Sequence, residues 1–548
     1  MLAVICAYLI IFSLVGITYK SWKTPIKGTD LHNIRSGIGG FADRLGAFAF
    51  ALTPLTIALC ARESVLSLLT GIPYQSFNFL HRWTGRIILV QSFVHCIVWT
   101  VVEGYLYQPQ PKIYVNWIKQ EYMIWGIVAQ ALITFLFVFS LRPVIRWTGY
   151  EFFRKSHFLV AILYIGACWG HWKQLSCWMI ASFALMGFDL VARTARTFLI
   201  HFGYKDGSSG FGFRSIPAKM EILKDPTGTI IRMTFSSEQS WELGQHFYLT
   251  FPALGIWQSH PFTPASNPNP NSPVQTHTYI IRACNGETKR LAELAEAAAN
   301  RYPHGDDTTP VILQGPYGGS IINNEVSNIL AISGGTGITY TLPLIKAALA
   351  EVSPVRNIEL VWTIRHTENL AWIGPELAYL KSQLNQAATQ IHHSLDEDKL
   401  EKAPIVSVET KKRFRIRIFV TRPDAAKQQR PVRPQRPDEK DKDFGFDEKL
   451  SPVSSVSSDF DSEIEDLIQE LPNFSITYLN NARPQANGLV DAFMDETVEI
   501  GRTQVVGSGP PELGTQIRAA VAARNLPGNV WRGDDRGDVE CVWDDRMG

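Results

Sequence analysis

Six runs of mostly apolar residues, at about 1–19, 43–61, 80–102, 121–141, 156–173 and 176–199, all fall before residue 200 of this 548-residue chain. A helix needs about 20 such residues to cross a bilayer. The overall hydrophobic content of 46% therefore conceals two unlike halves, a membrane half and a soluble half. The first run lacks a basic start and a small-residue cleavage site, so it reads as a span rather than a signal peptide. The lipid bilayer is thus the first expected partner. A net charge of +1 supplies no field for nucleic acid, which is not expected as a partner. Seven scattered cysteines, Cys6, Cys60, Cys96, Cys168, Cys177, Cys284 and Cys541, form no C-x-x-C pair. They read as small packing residues, not as a disulfide framework.

Lysine and arginine in the short loops orient the spans. The loop 142–156, with Arg142, Arg146, Arg154 and Lys155, is expected in the cytosol, as is the basic "RTARTF" that leads into the soluble half. One loop conflicts: 20–42 carries Lys20, Lys23, Lys27 and Arg35 and lies outside by this count. The conflict is accepted because a soluble half that uses a nucleotide must stay in the cytosol.

The third run contains "FNFLHRWTGRIILVQSFVHCIVWT", with His81 and His95; the fifth contains "RKSHFLVAILYIGACWGHWK", with His157 and His171. Fourteen residues separate the members of each pair. That is about 3.9 helical turns, which puts both on one face about 21 Å apart along the axis. Ionisable groups are costly in a bilayer, so each needs a reason to be there. Both spans run from the cytosol outward, which brings His81 level with His157 and His95 level with His171. Two stacked imidazole pairs suit two b-type haems, each iron held by two histidines with no open position, an arrangement for electron transfer. Arg82, Arg86 and Arg154 lie beside the inner pair, where they meet either haem propionates or anionic headgroups.

From about 214 the pattern changes to short alternating runs, "AKMEILK", "TIIRMTFS" and "QHFYLTFP", separated by turns such as "DPTG". This predicts a small antiparallel barrel. "HPFTPAS", the strand "HTYIIRAC" and a helix opening near Thr288 follow, and such a helix start offers free N–H groups to a phosphate. "VILQGPYGG" places a glycine turn after a strand. From about 328, "NILAISGGTGITYTLPLIKAAL" reads as a buried strand, a glycine loop and a helix, the pattern that lets a pyrophosphate approach the backbone. Arg365 closes the next strand, "IELVWTIRH", where an arginine can meet a 2′-phosphate and favour NADPH over NADH. A further strand is expected near "TQVVGSGP". The Pro-, Ser- and charge-rich stretch 422–472 is expected to be a disordered cytosolic insertion, its serines open to phosphorylation or simply tolerated.

The two histidine pairs, "HPFT", "GPYGG", "GGTGIT" and "VWTIR", in this order, resemble the fungal ferric reductase family of transmembrane flavocytochromes, which is related to the NADPH oxidases. The resemblance implies a helical membrane bundle of about six spans over 1–200. A cytosolic ferredoxin-reductase-like module would follow, with an antiparallel β-barrel FAD domain over 214–320 and an α/β NADPH domain over 326–548 interrupted by the insertion. It implies His81, His95, His157 and His171 as haem-iron ligands. His260, Pro261, Phe262 and Thr263 would line the flavin site, with Thr263 near the reactive edge of the ring. Arg282 and Thr288 would hold the FAD phosphates. Gly315, Pro316, Tyr317, Gly318 and Gly319, with Gly334, Gly335, Thr336 and Gly337, would cradle NADPH. Arg365 would select its phosphate, and Ser508, Gly509 and Pro510 would lie near the nicotinamide.

Three departures from the family stand out. Serine occupies position 508 where the family usually has cysteine. The chain starts directly at Met1 in a span, where relatives commonly carry a further N-terminal span. The end, "VECVWDDRMG", lacks the usual final aromatic residue, and Trp543 is a candidate to cover the flavin instead. The resemblance implies NADPH-driven electron transfer through FAD and two haems to an external ferric or cupric chelate, in support of iron uptake at the plasma membrane. Two alternatives stand beside it: an oxidase that gives superoxide from O₂, and an inactive membrane scaffold.

Overall fold

A computed structural model describes residues 2–15, 20–204, 211–301, 308–350, 355–395, 412–422, 464, 467–469 and 471–544. The chain divides into two compact units, Met1–Gly212 and Phe213–Gly548.

The first unit is helical. Among the described residues, four helices are long and apolar enough to cross a membrane: Ile38–Ala58, Tyr74–Leu106, Glu121–Val138 and Lys173–His201. The helix Tyr150–His171 has 22 residues, enough to span, but its first turns carry Glu151, Arg154 and Lys155. The helix Leu2–Leu14 has 13 residues. That is about 20 Å and shorter than a bilayer core. Six spans were expected; of the first, at about 1–19, the described residues show this short helix, and residues 16–19 lie outside those described. The conflicting basic loop is partly a hairpin of Ser21–Pro25 against His32–Ser36.

The bundle is built so that two of its helices face each other through a space. Tyr74–Val101 packs against Ile38–Ala58 and Glu121–Val138, while Tyr150–His171 packs against Glu121–Val138 and the last helix. Small and branched residues fill the shared core, among them Ala49, Ile88, Ala129, Ile133, Ile165 and Ala167.

Among the described residues, the second unit holds two six-stranded sheets. The first has six antiparallel strands in the spatial order His260–Phe262, His246–Thr250, Thr308–Tyr317, Ile216–Asp225, Gly228–Ser237 and Gln275–Arg282. The barrel reading needs one refinement: the edge strands do not form a ladder. The segment after Phe262 instead turns along the far edge, where the Ala265 N–H donates to the Thr278 carbonyl at 2.7 Å. Alternation buries Ile231, Met233 and Phe235 on one face, together with Phe247, Leu249 and Tyr279.

The second sheet has six parallel strands in the order Phe474–Tyr478, Arg413–Val420, Asn357–Ile364, Val326–Gly334, Arg502–Ser508 and Val539–Asp544. Buried runs such as "ILAI" and "LVWTI" suit strands covered on both faces. The chain leaves the Val326–Gly334 strand in one direction and returns later to its other side, so this strand marks the point where winding reverses. Ligands of such sheets bind outside the strand carboxyl ends at that point.

The insertion lies mostly outside the described residues, but its expected limits need correction at both ends. Ile464 and Leu467 are buried, and the Lys381 ammonium donates to the carbonyls of Leu467 and Gln469. The apolar spacing of Ile464, Leu467, Ile468 and Leu471 is that of one helical face, which the acidic and serine-rich context masked. At the other end, the Arg422 N–H donates to the Arg365 carbonyl at 2.8 Å.

Candidate functional site

In the membrane unit, the His81 and His157 rings face each other with centroids 6.2 Å apart, and so do the His95 and His171 rings. The pairing is the one expected from the fourteen-residue spacing. Three of the four rings use Nδ1 on a backbone carbonyl at 2.8 Å: His81 on Thr56, His95 on Ala42 and His171 on Tyr122. A carbonyl only accepts, so Nδ1 carries the proton and Nε2 keeps its lone pair. The fourth, His157, meets the Ser140 hydroxyl at 3.4 Å, and that hydroxyl donates to the Leu136 carbonyl. Ring-orienting bonds of this kind accompany metal-bound histidine. Two nitrogens at roughly 2.0 Å from one metal, plus each nitrogen's distance to its own ring centre, require centroids on the order of 6 Å apart. The observed separation fits.

Two glycines, invisible as signals in the sequence, make room for these rings. A Cβ on Gly46 would lie 2.9 Å from His95 Nδ1, and one on Gly126 would lie 2.6 Å from His171 Nδ1. Among the described residues, no group of three or more metal-binding side chains exists. Nearby, the Arg86 guanidinium stacks over Trp83 at 4.8 Å.

In the soluble unit, one cleft of about 860 Å³ opens where the parallel sheet reverses and meets the antiparallel sheet. It gathers Pro261, Phe262 and Thr263 with Arg282, then Gly334, Gly335 and Thr336, then Arg365, and finally Ser508, Gly509 and Pro510. The sheet order explains this: the carboxyl ends of Val326–Gly334 and Arg502–Ser508 are neighbours. Gly337 lies just beneath, where any Cβ would collide with the Ser508 carbonyl. The helix Ile338–Leu349 starts there and directs its free N–H groups at the cleft.

Other expected residues stand apart from this cleft. His260 Nε2 is 2.5 Å from the Glu287 carboxylate. The Thr288 hydroxyl accepts from the Cys284 N–H and donates to the Asn285 carbonyl, closing the start of the helix Glu287–Arg301. Gly315, Pro316, Tyr317 and Gly318 end the strand Thr308–Tyr317, with the Tyr317 ring against His246 and Tyr248. Trp543 is corrected: it does not line the cleft but is 9% exposed, inside the core against Gly507 and Gly514. Strand alternation sends its neighbour Asp544 to the cleft instead, 3.5 Å from the Ser508 hydroxyl.

Sequence reasoning missed Arg422 and Arg483, which line the cleft with Arg365 and Arg282. Among the described residues, none of the four is in an ion pair. Burial first, and then the charges of Arg282, Arg422 and Arg483, pull the Arg365 guanidinium below its ordinary value. A like-charge cluster left uncompensated is a binding site for a polyanion. Strand order was the missing signal: the three outer arginines follow three adjacent strands.

Comparison with known proteins agrees with this architecture. Residues 45–168 match the family described as ferric reductase like transmembrane component, 214–321 an FAD-binding domain, and 326–522 a ferric reductase NAD binding domain. Among curated proteins, the chain is 29% identical over 370 residues to a probable ferric reductase transmembrane component of Candida albicans, covering 66% of this chain and 50% of that protein. It is 28% identical over 353 residues to ferric reductase transmembrane component 3 of Saccharomyces cerevisiae, covering 62% and 45%. A ferric/cupric reductase transmembrane component 2 of the same yeast is 28% identical over 351 residues, covering 62% and 45%. The chain thus spans about half the length of the curated relatives it matches. A membrane unit followed by FAD-binding and NAD-binding domains, matched in this order, makes the chain similar along most of its length to the ferric reductase transmembrane components.

Proposed function

We propose that this protein carries electrons from cytosolic NADPH across a membrane, most naturally the plasma membrane, to an external ferric or cupric chelate, and so supports iron uptake. The observation that carries the reading is the pair of facing imidazole couples at 6.2 Å, each ring oriented through its Nδ1. When bound, FAD would convert a two-electron donation into single electrons, and two b-type haems would relay them.

The chain's own residues divide the remaining work. His81 with His157 would hold the inner iron, and His95 with His171 the outer one. Iron held between two imidazoles would supply electron transfer. Pro261, Phe262 and Thr263 would form the flavin wall of the cleft, with Thr263 at the reactive edge. Arg282 and Thr288 are assigned to the FAD phosphates. His260 would act indirectly through its contact with Glu287. Gly334 to Gly337 would admit the pyrophosphate against the helix start, and the arginines around Arg365 would select NADPH over NADH. Gly315 to Gly319 shape the neighbouring strand end. Ser508 gives the nicotinamide end a hydroxyl where relatives usually have a thiol.

The test is a reduced-minus-oxidised spectrum of membranes containing the intact chain. Bis-imidazole haem bands that appear with NADPH and fade when an Fe(III) chelate is added support the proposal. Absence of those bands, or their loss only to O₂, rejects it.

A further inference from the structure

The turn joining the strands Ile216–Asp225 and Gly228–Ser237 of the antiparallel domain reaches the parallel domain chiefly through one carboxylate, with the Thr227 hydroxyl a longer contact to Asn369 at 3.5 Å. Asp225 Oδ2 accepts from Asn369 Nδ2 at 2.9 Å and from Trp372 Nε1 at 2.6 Å. Its Oδ1 accepts from the Thr227 N–H at 2.6 Å. Both partners across the domain boundary are buried, Asn369 at 0% and Trp372 at 2% exposure.

Each partner leads to a different end of the nucleotide cleft. Asn369 Oδ1 accepts the backbone N–H groups of Arg365 at 3.1 Å and His366 at 3.0 Å, so the amide pins the turn that presents Arg365. Trp372 packs edge-on against Trp362 at 6.3 Å, and the Trp362 indole N–H donates to the Gly335 carbonyl at 2.9 Å. The same turn holds another arginine of the cleft: Arg282 Nη2 donates to the Thr227 carbonyl at 3.1 Å. A second clamp fixes the two domains nearby, since Arg232 grips the Glu376 carboxylate with both Nη atoms, at 2.6 and 3.1 Å, and donates to the Trp372 carbonyl at 3.2 Å.

We propose that Asp225 is a positioning residue for the 2′-phosphate of the pyridine nucleotide, acting from the flavin domain through Asn369 on the Arg365 turn. This rests on the NADPH reading of the cleft and extends it, because recognition of the donor's phosphate becomes a property of both domains together. The physical reason is the cost of the bonds involved. The carboxylate is the nearer acceptor of two buried donors, since the Asn369 amide reaches the Thr227 hydroxyl only at 3.5 Å, so its removal loosens the Asn369 amide and with it the two N–H groups that define the turn. Arg365 then enters the arginine cluster with more conformations to lose on binding. The repulsion among Arg282, Arg365, Arg422 and Arg483 favours outward ones.

The test uses the full-length protein in detergent and titrates it with 2′,5′-ADP and with 5′-AMP, which lacks the 2′-phosphate. The wild type is expected to prefer the bisphosphate. Asp225→Ala is expected to reduce that preference about tenfold while 5′-AMP binding changes less than about twofold, the loss of one charge-assisted bond network. Asp225→Asn, which keeps one carbonyl acceptor and guards against a folding failure, is expected to lie between the two. Equal weakening of both nucleotides in Asp225→Asn assigns the residue a merely structural role and overturns the proposal. An unchanged preference in the folded variants overturns it too, as does a wild type with no preference. Failure of the relay reading would look different: bisphosphate preference retained, but no NADPH-driven reduction of a ferric chelate.

Discussion

At the residue scale, the membrane site depends as much on what is missing as on what is present. Gly126 faces His171 Nδ1 so closely that one methyl at 2.6 Å must displace the ring or its helix, and the ring's bond to the Tyr122 carbonyl with it. Gly126→Ala is therefore expected to remove about half of the haem absorbance, that of the His95–His171 pair. Gly187→Ala, on the helix Ser176–His201 that carries none of the four histidines and with nothing within 4 Å of the added carbon, is expected to leave the spectrum intact. Pyridine haemochrome quantitation of both variants checks the contrast. The histidines were legible because fourteen residues between paired imidazoles is a pattern in one dimension. The glycines were not, since a glycine in an apolar helix acquires meaning only when its neighbour across the bundle is known.

A second residue-scale prediction concerns the flavin domain. His277 is fully buried, with Nε2 donating to the Gln239 carbonyl at 2.9 Å and Nδ1 3.1 Å from the Tyr279 hydroxyl. Burial pushes its imidazole down from 6.5 to about 4, only partly opposed by the Gln239 bond. The folded ring thus stays neutral where the unfolded chain already binds a proton. Its contribution to stability is complete above about pH 6.5 and declines as pH falls towards 4, by at most about 3 kcal/mol. Thermal unfolding of the soluble unit within the intact protein, followed between pH 7 and pH 4, should show this slope, and His277→Gln should flatten it.

At the scale of elements, strand order creates the arginine site. Arg365, Arg422 and Arg483 follow the strands Asn357–Ile364, Arg413–Val420 and Phe474–Tyr478, which lie side by side although 118 residues of chain separate the first arginine from the last. Arg365 was readable as the end of "VWTIR". Arg422 was instead read as the first residue of the insertion, because local composition turns rich in proline and charge there and parallel pairing leaves no local mark. Arg422→Ala is expected to raise the KM for NADPH about tenfold with little change for NADH, since a charged hydrogen-bonding group facing a phosphate contributes about 1.5–3 kcal/mol. Combined with Arg365→Ala, the loss should be less than additive because both serve one group. Steady-state kinetics with the two nucleotides decides this. Parallel loss for NADPH and NADH would show that Arg422 holds the domain rather than the phosphate.

At the scale of the whole molecule, the sequence disclosed the division into a membrane half and a nucleotide-binding half, because a change from long apolar runs to short alternating ones is a change of solvent. It disclosed sidedness less well, since basic loops occur at both ends of the bundle. At the His95–His171 end stand Lys20, Lys23, Lys27 and Arg35, and at the other end Arg142, Arg146, Arg154 and Lys155. The proposed function resolves the ambiguity by direction. The donor site belongs to a unit that follows the last helix, and the two imidazoles on each helix are separated by about 21 Å along the axis. Sealed right-side-out vesicles loaded with NADPH are therefore expected to reduce an impermeant ferric chelate outside, while NADPH added outside has no effect. His95→Leu removes one ligand of the outer pair and leaves the His81–His157 pair intact. It should drop chelate reduction to background while NADPH still reduces the flavin and the inner haem band at near wild-type rates. Because the outer pair is the only proposed step between the inner pair and the external face, chelate reduction that persists in this variant would mean that electrons leave by another route and that the stacked pairs are not a series relay.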